Sequence, residues 1–225
     1  MSFLDGVLLV MRKDLAMELR AKEIFTTTAM FSLLVVVIFN FAFDMTGIDV
    51  KAVAAGVLWV AFIFSGAVAM NRGFMREQEE GCLSALLLAP IDRSAIYFGK
   101  MLSGLLVMLA TMALVTPIFM VLYNVNVMEH YLWQTLTFFL GAVGFMAVGT
   151  LISAMSVNLR AREMMGPLLL LPVVAPVIIA AVKMSGGLVR GEDLASLMVW
   201  IKILASFDVI YLVVAWLVFE HIVEE

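Results

Sequence analysis

Residues 101–123 read MLSGLLVMLATMALVTPIFMVLY, an apolar run without one charged side chain. An α-helix needs roughly 20 such residues to cross the hydrocarbon core of a bilayer. Inside lipid the backbone has to satisfy its own N–H and C=O groups, so the run is predicted to be helical. A membrane strand would instead show short alternating segments. Outward from this run lie five more of the same character, at residues 24–43, 53–70, 131–157, 164–182 and 197–219. Composition agrees: 64% of the 225 residues are hydrophobic, 14% are charged, and the mean hydropathy is +1.09. Soluble domains hold about 45–50% apolar and about 25% charged residues. The predicted fold class is therefore all-α integral membrane, with six transmembrane helices in a single domain over residues 1–225. No cleavable signal peptide is read in the mixed polar and apolar start, residues 1–22.

Charge location orients the spans. With the N-terminus in the cytoplasm, the inner segments hold Arg12, Lys13, Arg20, Lys22, Arg72, Arg76, Arg93, Lys100, Arg160 and Arg162, ten in all, and the outer ones hold Lys51, Lys183, Arg190 and Lys202, four. This excess predicts that both termini lie inside. Residues 124–130 carry no basic group and are flanked by Tyr123, Tyr131 and Trp133, which suits an outer interface. The single cysteine, Cys82, excludes an intrachain disulfide and a Cys-rich metal site. The eighteen methionines are read as flexible apolar filler, and no basic stripe suggests nucleic acid.

Two segments outside the runs look ordered. In residues 1–22, Leu4, Leu8, Met11, Leu15 and Leu19 recur near helical spacing, whereas Arg12, Lys13 and Arg20 fall elsewhere on the wheel. This pattern predicts a helix lying in the headgroup plane, with Leu9, Val10 and Met17 on its polar side. Residues 71–100, NRGFMREQEEGCLSALLLAPIDRSAIYFGK, form the longest polar connection. Gly81 permits a turn, a short run of helix formers follows, Pro90 stops it, and Asp92 or Ser94 is positioned to cap the helix that enters the next span. A short cytoplasmic helix between two breaks is the expectation, and Leu83, Leu86, Leu87 and Leu88 call for a covering surface.

Glu79 and Gly81, the short apolar run, Pro90, Arg93 and Gly99-Lys100 resemble the coupling-helix region of type-2 ABC exporters, and Asn71-Arg72, Phe74, Arg76-Glu77, Glu80-Gly81, Leu86-Leu87, Pro90, Ile96 and Gly99-Lys100 more closely resemble the haem exporter protein B family of cytochrome c maturation. Arg12-Lys13-Asp14-Leu15 with Glu18 and Arg20 resembles the start of that family, and Phe207-Asp208 with the acidic end its finish. The resemblance implies a permease subunit in the bacterial inner (cytoplasmic) membrane that couples ATP hydrolysis elsewhere to movement of its own helices. Implied partners are an ATP-binding subunit (CcmA-like), a haem-handling membrane subunit (CcmC-like), a small membrane subunit (CcmD-like) and a second copy of the chain. It also implies that Glu79, Glu80, Gly81, Leu83, Leu86, Leu87, Pro90, Arg93, Gly99 and Lys100 meet the ATPase subunit. Haem would be handled by the complex and ATP bound by the partner. The same fold exporting a lipid, polysaccharide or drug is the alternative.

No catalytic, cofactor-binding or metal-ligating residue is predicted in the chain itself. Gly99-Lys100 is followed by Met101, and Ser94 stands where a P-loop places its first glycine. His130 and His221 fall near opposite ends of the predicted bundle, too far apart to ligate one haem iron together. An intramembrane enzyme is disfavoured, since no pair of catalytic groups shares one depth. A passive channel or scaffold would not need the 71–100 segment. Asp208 falls near the middle of the last span, where a charge is costly, and is expected to serve packing or assembly. Gly141, Gly144, Gly149 and Ser153 offer a small-residue face. Pro167, Pro172 and Pro176 predict kinks or a re-entrant piece, and the resemblance to type-2 exporters implies short helices over residues 185–196 ahead of the last span.

Overall fold

The computed structural model describes residues 2–44, 50–79, 92–156 and 162–222. Among these, seven helices follow one another and no strand occurs: α1 (Phe3–Ala21), α2 (Glu23–Asp44), α3 (Val50–Glu79), α4 (Arg93–Tyr123), α5 (Tyr131–Ser156), α6 (Arg162–Arg190) and α7 (Leu194–Ile222). Five of them contain stretches long and apolar enough to cross a membrane: Glu23–Phe43, Arg93–Tyr123, Tyr131–Met155, Leu169–Arg190 and Leu194–Phe219. The apolar part of α3, Val53–Val68, is shorter.

Each helix end has a local cause. The α1 chain stops at Lys22, which adopts the left-handed conformation (φ 52°) and donates its N–H to the Glu18 carbonyl. Glu18 also reaches across the elbow, its Oε1 accepting from the Phe25 N–H at 2.7 Å. That carboxylate satisfies a free donor at the start of α2 and complements the positive end of its dipole. Asp92 caps α4 by accepting from the Ser94 N–H at 2.9 Å. At the other end Asn124 is left-handed (φ 49°) and its N–H returns to the Met120 carbonyl. Between α6 and α7, Gly191 takes φ +70°, while the N–H groups of Glu192 and Gly191 bond back to the Gly187 and Leu188 carbonyls. This paired pattern is a Schellman stop, for which glycine alone carries no Cβ penalty.

Helix α3 continues past its apolar stretch to Glu79, and α4 begins at Arg93, as the cap expected at Asp92 or Ser94 implies. Polar residues end a hydrophobic run but not a helix, and Arg, Glu, Gln and Met are good helix formers. Helix α6 continues without interruption through Pro172 and Pro176 to Arg190, so neither the re-entrant piece nor the short helices at 185–196 form. Each proline removes one backbone donor, and packing against neighbouring helices outweighs that loss. As a result Lys183 and Arg190 belong to the helix instead of an outer loop.

Helix α5 is the axis of the bundle. Residues 141–150 are buried without exception, and α3, α4, α6 and α7 all pack on it. The small residues expected there are used in different directions. Gly141 lies against the Trp59 ring and Gly149 against Met70, both on α3, whereas Gly144 faces Asp208 of α7 and Val177 of α6. Tyr123 anchors the far end of α4 to α2 by donating to the Val36 carbonyl at 3.0 Å. The outward faces of α2 and α7 stay apolar and exposed, as with Phe41 and Val209, which in lipid is the favourable arrangement.

Candidate functional site

The first two turns of α4, residues 93–100, directly follow the polar connection and meet three other helices at once. Tyr97 points into the bundle, donates to the Ala147 carbonyl of α5 at 2.8 Å, and lies 5.3 Å from the Phe219 ring of α7. Phe98 meets Phe3 of α1 edge-on at 6.1 Å. Gly99 touches α1 so closely that a Cβ there would lie 2.6 Å from the Val10 Cβ and 3.0 Å from the Val7 carbonyl oxygen. Lys100, its side chain only 4% exposed, forms an ion pair with Asp14 of α1 at 3.6 Å. Ser103 adds a hydrogen bond to the same Asp14 oxygen at 3.4 Å. Four consecutive residues thus bind α4 to α1, α5 and α7.

Helix α1 is built for this contact. Gly6, Val7, Val10 and Glu18 are buried, with Asp14 on the same side. The leucines expected to form its membrane face fall on another side: Leu4, Leu8 and Leu19 are exposed, and Met11 and Leu15 are half-buried. Val10, assigned to the polar side, is fully buried. It falls on the seam because residues 7, 10, 14 and 18 share one helical face. The helix therefore has two apolar stripes, one against α4 and one outward.

Of the residues expected to contact an ATPase subunit, Arg93 opens α4 and is half-buried, and Gly99 and Lys100 lie inside the α1–α4 seam. Glu79 ends α3, and its side chain lies outside the described residues. Glu80, Gly81, Leu83, Leu86, Leu87 and Pro90 also lie outside them, as does the short helix expected over residues 82–89. Sequence reading did not single out Tyr97. A tyrosine in a charged first turn carries no distinguishing signal, and only its reach to Ala147 reveals it.

Asp208 is 4% exposed, and neither carboxyl oxygen has a hydrogen-bond partner among the described residues. It faces inward: a Cβ at Gly144 would lie 2.5 Å from its Oδ1 and 3.1 Å from a Val177 methyl. A second polar cluster joins three helices nearer the start of α5. Trp59 Nε1 donates to Ser185 Oγ at 3.0 Å, and Gln134 Nε2 donates to the same oxygen at 2.9 Å. His130 precedes α5, while the His221 side chain lies outside the described residues. Among the described residues no three His, Cys, Asp or Glu side chains gather as a metal site.

The family model described as "CcmB protein" matches residues 6–225. Relatives include "Heme exporter protein B" of Rhodobacter capsulatus, 29% identical over 170 residues, which is 76% of this chain and 78% of the relative. The protein of that name from Paracoccus denitrificans is 29% identical over 74% of this chain and 76% of its own length. The one from Haemophilus influenzae is 26% identical over 76% and 77% respectively.

Proposed function

The chain belongs to the CcmB protein family, and from that membership we propose that it is the membrane subunit of a haem export system serving cytochrome c maturation, with ATP hydrolysed by a separate subunit. It is a multi-pass membrane protein. In this reading α2 to α7 cross the bacterial inner membrane six times, α3 included, with both termini in the cytoplasm. The ten-to-four division of Lys and Arg supports that orientation. Helix α1 then rests at the cytoplasmic headgroups with Leu4, Leu8 and Leu19 toward lipid. Residues 80–91, with Glu79 and Arg93 at their borders, meet the ATP-binding subunit, and the chain works as a dimer beside haem-handling and small membrane subunits.

The observation that carries this reading is the anchoring of residues 97–100 to α1, α5 and α7. ATP-driven export needs a cytoplasmic input that moves several membrane helices together. A push delivered to Arg93 at the start of α4 passes through Tyr97 to the bundle axis and through Lys100 to the headgroup helix. Truncating a buried interface leucine costs on the order of 1–3 kcal/mol in lost apolar burial. Leu86→Asp or Leu87→Asp should leave membrane insertion intact yet remove the ATP-binding subunit from pull-downs and stop cytochrome c maturation. Arg93→Glu should give a partial loss that deepens with salt. Normal recruitment and normal maturation in both leucine variants would overturn the assignment of this segment.

A further inference from the structure

A groove of about 430 Å³ opens where the C-terminal ends of α2 and α6 meet the start of α3. This is the end of the bundle away from the α1–α4 seam. Phe39 and Phe43 of α2, whose rings stack at 5.7 Å, and Gly56 and Val60 of α3 form an apolar wall. Lys183 and Arg190 of α6 line the opposite side. Arg190 is held by Glu192 at 2.7 Å. Among the described residues Lys183 has no ion-pair or hydrogen-bond partner, although it lies in the apolar stretch Leu169–Arg190, two turns before its end. Two turns are about 10 Å of helix, a depth from which a lysine head still reaches the headgroup layer. With Glu192 offsetting Arg190, the described lining residues keep one net positive charge, on Lys183.

We propose that this groove is a binding site for an anionic phospholipid, the phosphate on Lys183 beneath Arg190 and an acyl chain along Phe39, Phe43 and Val60. An ionisable side chain inside a span needs a partner of opposite charge, and the described residues supply none. The ligand must be amphiphilic, because most of the wall is apolar and a free anion would leave it uncovered. The wall holds no His, Met, Cys or Tyr, the side chains that ligate haem iron, so its chemistry suits a lipid and not a metalloporphyrin. Gly56 leaves the space open: a Cβ at that position meets nothing within 4 Å.

Native mass spectrometry of the full-length protein, released from micelles containing phosphatidylglycerol or phosphatidylethanolamine, tests this. The wild type should retain phosphatidylglycerol about fivefold more tightly, the effect of one basic residue on an anionic lipid. Lys183→Gln should remove that preference and Lys183→Arg should keep it. Gly56→Leu fills the groove from the side that has room and should lower retention of both lipids, with helicity by circular dichroism as its control for folding. Inorganic phosphate should not displace the bound lipid. Equal retention of the two lipids by the wild type, an unchanged preference in Lys183→Gln, or displacement by phosphate alone would each overturn the proposal. The Lys183 variants decide the matter even where Gly56→Leu fails to fold, since Lys183 is exposed.

Discussion

Gly99 and Lys100 occupy adjacent positions and fail in different ways when changed. At Gly99 any side chain collides with Val10 and the Val7 backbone, so Gly99→Val should push α1 away at about 1–3 kcal/mol, the usual range for overpacking. A Phe3→Cys/Phe98→Cys pair reports this directly, since its rate of crosslinking should drop when Gly99→Val is added. At Lys100 the issue is charge. Removing one partner of a fully buried ion pair costs about 3–5 kcal/mol, whereas replacing both with apolar residues is nearly neutral. Asp14 keeps 15% exposure, so Lys100→Met should fall below that range, and Asp14→Leu/Lys100→Met should recover much of the loss. Unfolding titrations in mixed micelles would show whether the double variant is the more stable. Asp208 presents a third case, with both oxygens buried and unpartnered among the described residues. Such a group is a cost to the isolated subunit, in keeping with the expected role in packing or assembly. Asp208→Leu should insert normally and lose maturation activity, with Asp208→Asn milder. Full activity in Asp208→Leu would show the acid to be dispensable.

At the scale of the helix, five apolar runs fall on helices long enough to cross a membrane and the sixth on the shorter apolar part of α3, but the helices extend beyond the runs. The run at 101–123 is real, yet α4 takes eight further residues from a segment with Arg93, Ser94 and Lys100 in it. Hydropathy measures what lipid accepts, while helix formation depends on propensity and caps. The Asp92 cap was legible for that reason, and the continuity of α6 through its prolines was not, because packing decided it. Small residues on α5 signalled close approach, but which neighbour each one meets depends on the whole bundle. Within the candidate site, the Gly99-Lys100 pair stood out as a motif. Its Asp14 partner, 86 positions earlier (100 − 14), had no local sign. The elbow between α1 and α2 supports a prediction at this scale. Glu18→Ala removes the acceptor for the Phe25 N–H and should cost about 1 kcal/mol, as loss of an N-cap does. Glu18→Gln should retain most of it, measured by thermal unfolding followed at 222 nm.

For the molecule as a whole, the charge distribution makes a topological claim that reporter fusions can check. Arg160 and Glu225 should map inside, and Asp49, Glu129 and Gly191 outside. Arg160 outside would break the six-crossing arrangement. The α1–α4 seam also bears on how the protein is made. Asp14 leaves the ribosome long before Lys100, and at about 5–20 residues per second the delay is roughly 5–20 s. Throughout that interval the nascent α1 has Val7, Val10 and Asp14 without their α4 neighbours. In the headgroup placement proposed for α1, its outward leucines would hold the helix on the membrane until α4 is inserted. Chains stalled after residue 79 should accordingly leave α1 open to protease once the membrane is dissolved in mild detergent, and chains stalled beyond residue 130 should not. Helix α1 is thus made well before the neighbour that fixes its place.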